Sequence, residues 1–190
     1  MPDERLARFR APALAFSVYL LVIAGSAAVL FVLKLGGAPA LIAEHYLGSE
    51  ARFTAPSTLG GLLEVAVPHL LAIPLVLFAV SHVVGFVRAL GRRSYGVLVA
   101  VSFGCALAGV AAGFGVRFVA PALAWAKLAA FAGLEVTLLG WAGLLAAIFL
   151  RVSRLRAPTG ETFAVDARGT PAEVPRAAEA RRGRPEEALP

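Results

Sequence analysis

Three stretches of the chain, 11–33, 65–87 and 94–116, each run for 23 residues without a charged side chain, and a fourth, 122–150, carries only Lys127 and Glu135. At about 1.5 Å of rise per residue, each is long enough as a helix to cross roughly 30 Å of hydrocarbon. The pattern predicts an all-α polytopic membrane protein with four transmembrane helices in a bundle, at about 12–33, 61–87, 95–116 and 122–150. The first apolar segment is longer than the roughly 7–15 residues of a signal-peptide core and three more follow it, so it reads as a retained helix. Pro68 and Pro74 fall inside the second segment, where each removes one backbone hydrogen bond. Pro121 suits a helix start, where a missing N–H costs nothing.

Between the first two helices, residues 35–60 form an outer loop punctuated by Gly36, Gly37, Pro39, Pro56 and Gly60. Its middle, from Ala40 to Tyr46, reads as a short interfacial helix with Tyr46 near the headgroups. Residues 1–11 form a short cytoplasmic N-terminus. Residues 151–190, rich in Pro, Ala, Arg and Glu and without sustained periodicity, read as a disordered cytoplasmic tail.

Composition agrees with this division. Of 190 residues 59% are hydrophobic, and the mean hydropathy is +0.79. Five charged residues lie in 1–10 and fourteen in 151–190, leaving eleven for the 140 between. A soluble enzyme of ordinary shape is excluded. Arg5, Arg8 and Arg10 precede the first helix, Arg88, Arg92 and Arg93 join the second to the third, and Arg151, Arg154 and Arg156 follow the fourth. These clusters place both termini in the cytoplasm of a bacterial inner membrane, since lysine and arginine accumulate on that side. The pI near 10.4 is accounted for by clusters beside apolar helices facing anionic lipid, and no nucleic-acid partner is expected.

Chemistry is concentrated in the second and fourth segments, where Glu64, His69, His82, Lys127 and Glu135 lie at or below membrane depth. Ionisable groups there are expensive unless paired, neutralised or hydrated, so the five are expected to form a buried polar network. Counted from the outer ends, Glu64 and Lys127 lie about 5 and 8 Å inward, within reach of an ion pair. Gly109 and Gly113, spaced as G-x-x-x-G, predict close helix packing within the bundle or in a dimer. The lone Cys105 reads as a small packing residue.

No cofactor is expected. The alternative is heme b, because His69 and His82 are thirteen residues apart on one helix, as in membrane diheme carriers, with His45 or a second protomer completing the ligation. On a straight helix, however, the two histidines differ by about 220° of rotation. No nucleophile elbow, P-loop, zinc-protease or dinucleotide-binding signature is present, and the chain does not read as an enzyme.

The segments HYLGSEARFTAPSTLGGLLEVAVPHLLAIPLVLFAVSHVVGF and VRFVAPALAWAKLAAFAGLEVTLLGWAG resemble a group of small uncharacterised bacterial four-helix inner-membrane proteins, over roughly residues 40–150. In that group an outer-loop His-Tyr precedes a helix carrying the equivalents of Glu64, His69 and His82, and a Lys127/Glu135 pair marks the fourth. The second helix there often has His-x-His, where this chain has Val67-Pro68-His69. The resemblance implies membership and no defined activity. The leading expectation is a structural or accessory component of a membrane assembly, in contact with lipid and with a second copy or other membrane proteins. The alternatives are a heme electron carrier and a small proton-coupled channel or carrier in which Glu135 titrates and a histidine relays.

Overall fold

A computed structural model of the chain describes residues 9–87 and 90–154, with side chains as far as 150. Arg5, Arg8, Arg88, Arg156 and the expected tail from 155 onward lie outside the described residues. The elements are α1 (Arg10–Leu35), α2 (Pro39–Leu47), a 3₁₀ turn (Glu50–Arg52), α3 (Leu59–Val87), α4 (Arg92–Phe118), a second 3₁₀ turn (Pro121–Leu123) and α5 (Ala124–Arg154). Four helical stretches, α1, α3, α4 and Pro121–Leu150, are long and apolar enough to span a membrane. They form an all-helical bundle, and the protein is a multi-pass membrane protein.

The helices run a few residues beyond the apolar stretches and take in Arg10, Lys34, Arg92 and Arg117. Backbone hydrogen bonding continues into these terminal turns, from which long basic side chains can extend toward a membrane interface. The termini follow local chemistry. Gly36 ends α1 at φ 76°, where its N–H bonds to the Val32 carbonyl and an added Cβ would lie 2.6–2.7 Å from the Leu41 side chain. Pro39 opens α2. Gly48 ends α2 at φ 84°, and a Cβ there would lie 2.7 Å from the Thr54 carbonyl oxygen. Thr58 caps α3, its Oγ1 accepting the Gly61 N–H at 3.1 Å. The helix then continues unbroken through Pro68 and Pro74.

α5 is the centre of the bundle. It packs along α1 on one side and α4 on the other, while α3 lies mainly on α4, and α1 and α3 are not in close backbone contact. In the most apolar window of each span, 44% of α5 is buried, against 22% of each of the other three. One apolar core, built around Leu20, Leu77, Val80, Trp141, Leu145 and Phe149, fills the half of the bundle away from α2. A second, with Phe31, Ile42, Tyr46, Leu62 and Val116, lies beneath α2. Phe31 stacks on Phe131 with centroids 3.8 Å apart, fixing α1 against α5 at this end. Cys105 packs on α5, where a Cβ on Gly133 would lie 2.7 Å from its sulfur.

Candidate functional site

The end of the bundle capped by α2 carries a group of polar contacts. Tyr46 is buried, and its ring lies against Gly113 of α4, where an added Cβ would meet the phenol oxygen at 3.1 Å and ring carbons at 3.4 Å. One turn away, the Lys127 ammonium donates to the carbonyl of Gly109 at 2.7 Å. A glycine leaves its carbonyl open to a neighbouring helix, so the ammonium finds an acceptor without a carboxylate. Gly109 and Gly113 are therefore occupied within the chain, by α5 and by Tyr46. Ser57 joins α2 to α4: its N–H donates to the Tyr46 carbonyl at 3.0 Å, its hydroxyl to the His45 carbonyl at 3.2 Å, and its own carbonyl accepts Arg117 Nε at 2.8 Å. Arg52 lies 3.4 Å from Glu44 at the exposed rim, an ion pair of small energetic weight.

His45 sits edge-on to Tyr46, with centroids 5.2 Å apart. Burial and then the positive charges of Lys34 and Lys127 hold its imidazole below the ordinary value of 6.5, opposed by a hydrogen bond with the Lys34 backbone. Burial pushes the Tyr46 phenol up from its usual value. As pH falls below 6.5 the unfolded chain takes up the His45 proton before the folded one, so this residue's contribution to stability is complete above 6.5 and is lost as pH falls toward the lower folded value. An NMR titration is expected to place the His45 midpoint below 6.5, and Lys34→Gln to raise it only in part, because burial is the larger cause.

The ionisable residues of α3 lie elsewhere. Glu64, His69 and His82 are all exposed on the outside of the bundle. Glu64 and Lys127 do not form the expected ion pair: the ammonium is taken by Gly109, and Glu64 lies on an exposed part of α3. The His69 Nδ1 is 2.7 Å from the Val65 carbonyl of its own helix, which as an N–H donor leaves Nε2 free. The His82 ring stacks on Phe78 at 5.4 Å and meets Phe86 edge-on at 4.8 Å. Glu135 is partly buried one turn beyond Phe131, and no hydrogen bond or ion pair joins it to His69 or His82. The five residues are thus divided among two helices and several faces. His45 packs against Tyr46 and His69 is held through Nδ1 by Val65, and no hydrogen bond or ring contact joins the two as a ligand pair. Among the described residues no group of three or more His, Cys, Asp or Glu is placed to hold a metal ion.

In the half of the bundle away from α2 the polar contacts that join helices are neutral, and the sequence pattern does not single them out. Trp141 Nε1 donates to Ser102 Oγ at 3.0 Å, and that hydroxyl donates to the Leu98 carbonyl at 2.7 Å. Tyr95 packs edge-on against Trp141 and donates its hydroxyl to the Ser81 carbonyl at 3.0 Å. One tryptophan, one tyrosine and one serine thereby connect α3, α4 and α5. The signal that could have found them is an indole and a phenol within apolar helices, since both need a partner for their polar atom when buried.

No curated protein and no solved structure matches the chain. The sequence pattern of one family, Aq_1264_TM, described as a transmembrane helical domain, matches residues 36–157. That span covers α2 to α5, including the capped end, the neutral interior contacts and the outward face of α3. On this match the chain belongs to the Aq_1264_TM family, small multi-pass membrane proteins.

Proposed function

We propose that the protein is a structural or accessory component of a bacterial inner-membrane assembly, with both termini cytoplasmic, acting through contacts with other membrane proteins. The observation that carries this reading is the outward position of Glu64 and His82 on a helix that spans the membrane. A carboxylate and an imidazole facing lipid alone are costly, and in membrane proteins such groups turn to protein or to water. The bundle satisfies its interior with Trp141, Ser102, Tyr95 and Ser81, leaving the ionisable residues of α3 free to engage a neighbour. The orientation rests on the basic clusters.

Particles drawn from native membranes with their lipid are expected to exceed the 19.7 kDa of one chain plus its annular lipid. The double variant Glu64→Leu/His82→Leu should reduce them to single chains while leaving the melting temperature of the isolated chain unchanged. Wild-type particles holding one chain would refute the reading. A second reading, heme ligation, draws on His69, whose free Nε2 faces outward while Nδ1 is held by Val65, the usual arrangement of a ligating imidazole. It requires a reducible Soret absorbance that disappears in His69→Ala, and its absence after expression with heme supplied would exclude it.

A further inference from the structure

We propose that the Phe53 side chain anchors the loop before α3 in the bilayer, its ring seated at the boundary of headgroups and acyl chains at the α2 end of the bundle. Phe53 is 97% exposed and lies at φ 52°, ψ 34°, in the left-handed region. Among the described residues no other position enters positive φ without being glycine. A bulky side chain is strained there, where glycine or asparagine is the usual occupant. The turn that imposes this conformation is closely built. The Ser49 and Thr54 backbones exchange hydrogen bonds at 3.0 Å, and the Phe53 N–H donates to the Glu50 carbonyl at 3.2 Å. A Cβ on Gly48 would lie 2.7 Å from the Thr54 carbonyl oxygen and 2.8 Å from the Pro56 nitrogen. The turn thus holds an apolar ring out in a strained conformation, and at this exposure no packing within the chain offsets the strain.

Height along the bundle and available area identify the bilayer as the occupant. Ser57, four residues on, is bonded through its carbonyl to Arg117 in the last turn of α4, and two residues later α3 begins at Leu59. Four residues of extended chain reach about 14 Å at most, so the ring stays near the level at which two spanning helices end. Leu59, Phe118 and Val119 are apolar and exposed at that level, as helix ends that face lipid are. A protein partner would need about 800 Å² from this side. The turn offers one phenyl ring, about 200 Å², beside Glu50, Ala51 and Arg52. A bilayer requires no complementary surface, and removing a ring from water offsets the cost of the left-handed conformation. Because Ser57 donates to the Tyr46 carbonyl and Gly48 packs on Thr54, an anchor at Phe53 also holds α2 at the membrane surface.

The test places Phe53→Trp in the full chain with Trp125→Phe, in phosphatidylglycerol vesicles whose acyl chains carry bromine near the headgroup or near the bilayer centre. The buried Trp141 emits equally with and without Phe53→Trp and is subtracted. The wild-type chain, with Trp125 exposed near the start of α5, supplies the signal of a lipid-facing indole. The Phe53→Trp fluorescence is expected to be lost to bromine near the headgroup, less to bromine at the centre, and to resist acrylamide in the water. Quenching by acrylamide with none by brominated lipid would put the ring in water and overturn the anchor. Protection from both quenchers would put it against protein and overturn the anchor as well. The proposal does not involve Glu64 or His82, so its failure leaves the accessory reading to be judged by its own test.

Discussion

Replacing Trp141 with alanine is expected to destabilise the bundle by about 3 kcal/mol, the lower end of the range for tryptophan truncations in protein cores. The side chain is fully buried where α3, α4 and α5 meet. In a membrane the separated helices still lie in lipid, so little of this cost comes from exposing apolar surface to water. It comes from the van der Waals attraction forfeited around the cavity and from the broken indole bond to Ser102. Trp141→Phe keeps most of the volume and removes the donor, and should cost about 1 kcal/mol. Trp125, exposed at 66%, provides the control: Trp125→Ala should leave the unfolding midpoint in detergent nearly unchanged. Equal effects of Trp141→Ala and Trp125→Ala would mean that the interior is not closed around Trp141.

The second large effect is expected at the capped end. In Gly113→Leu, the new Cβ alone would lie 3.1 Å from the Tyr46 hydroxyl oxygen and the remaining atoms would take the volume now filled by its ring. Overpacking of this kind costs about 1–3 kcal/mol. Here the strain has a route of relief, because α2 is only 9 residues long and is connected at both ends through glycines with positive φ. Displacement of α2, with exposure of Tyr46 and rupture of the Ser57 hydrogen bonds, is the expected form of the damage. Protease sensitivity of the 35–60 loop and amide hydrogen exchange of the α2 backbone report it. Gly140→Leu, where nothing lies within 4 Å of an added Cβ, should leave both signals unaltered.

The helices are legible in the sequence because charge-free runs of 23 residues leave the chain few alternatives in a bilayer. The short helix in the 35–60 loop is visible in the apolar segment between Pro39 and Gly48. At the G-x-x-x-G spacing the neighbours are a tyrosine ring and a lysine ammonium, which cannot be read from the spacing. What the sequence leaves open is the rotational setting of α3. A helical period fixes Glu64 and His82 on the same side and His69 on another, but it does not say which side meets the neighbours. That depends on α3 being a flank helix held mainly by α4, a consequence of α5 taking the central place.

Lys127 departs from expectation for a related reason. Matching it with Glu64 considers only side-chain acceptors, whereas Gly109 offers an uncovered backbone carbonyl. The neutral network is hard to read because serine, tyrosine and tryptophan are ordinary in membrane helices until their partners are seen. Together these interactions divide the molecule into a bundle joined by the neutral Trp141, Ser102 and Tyr95 contacts and by Lys127 on the Gly109 carbonyl, and an outward face of α3 that carries Glu64 and His82.

The most direct measurement of that division is an electron cryomicroscopy map of the full chain in lipid nanodiscs, at a resolution that places side chains. Glu64 and His82 are predicted to project away from α4 and α5 and to meet protein density from another chain. Glu64 within hydrogen-bond distance of Lys127, or His82 within hydrogen-bond distance of Glu135, inside a single chain would contradict the outward setting of α3.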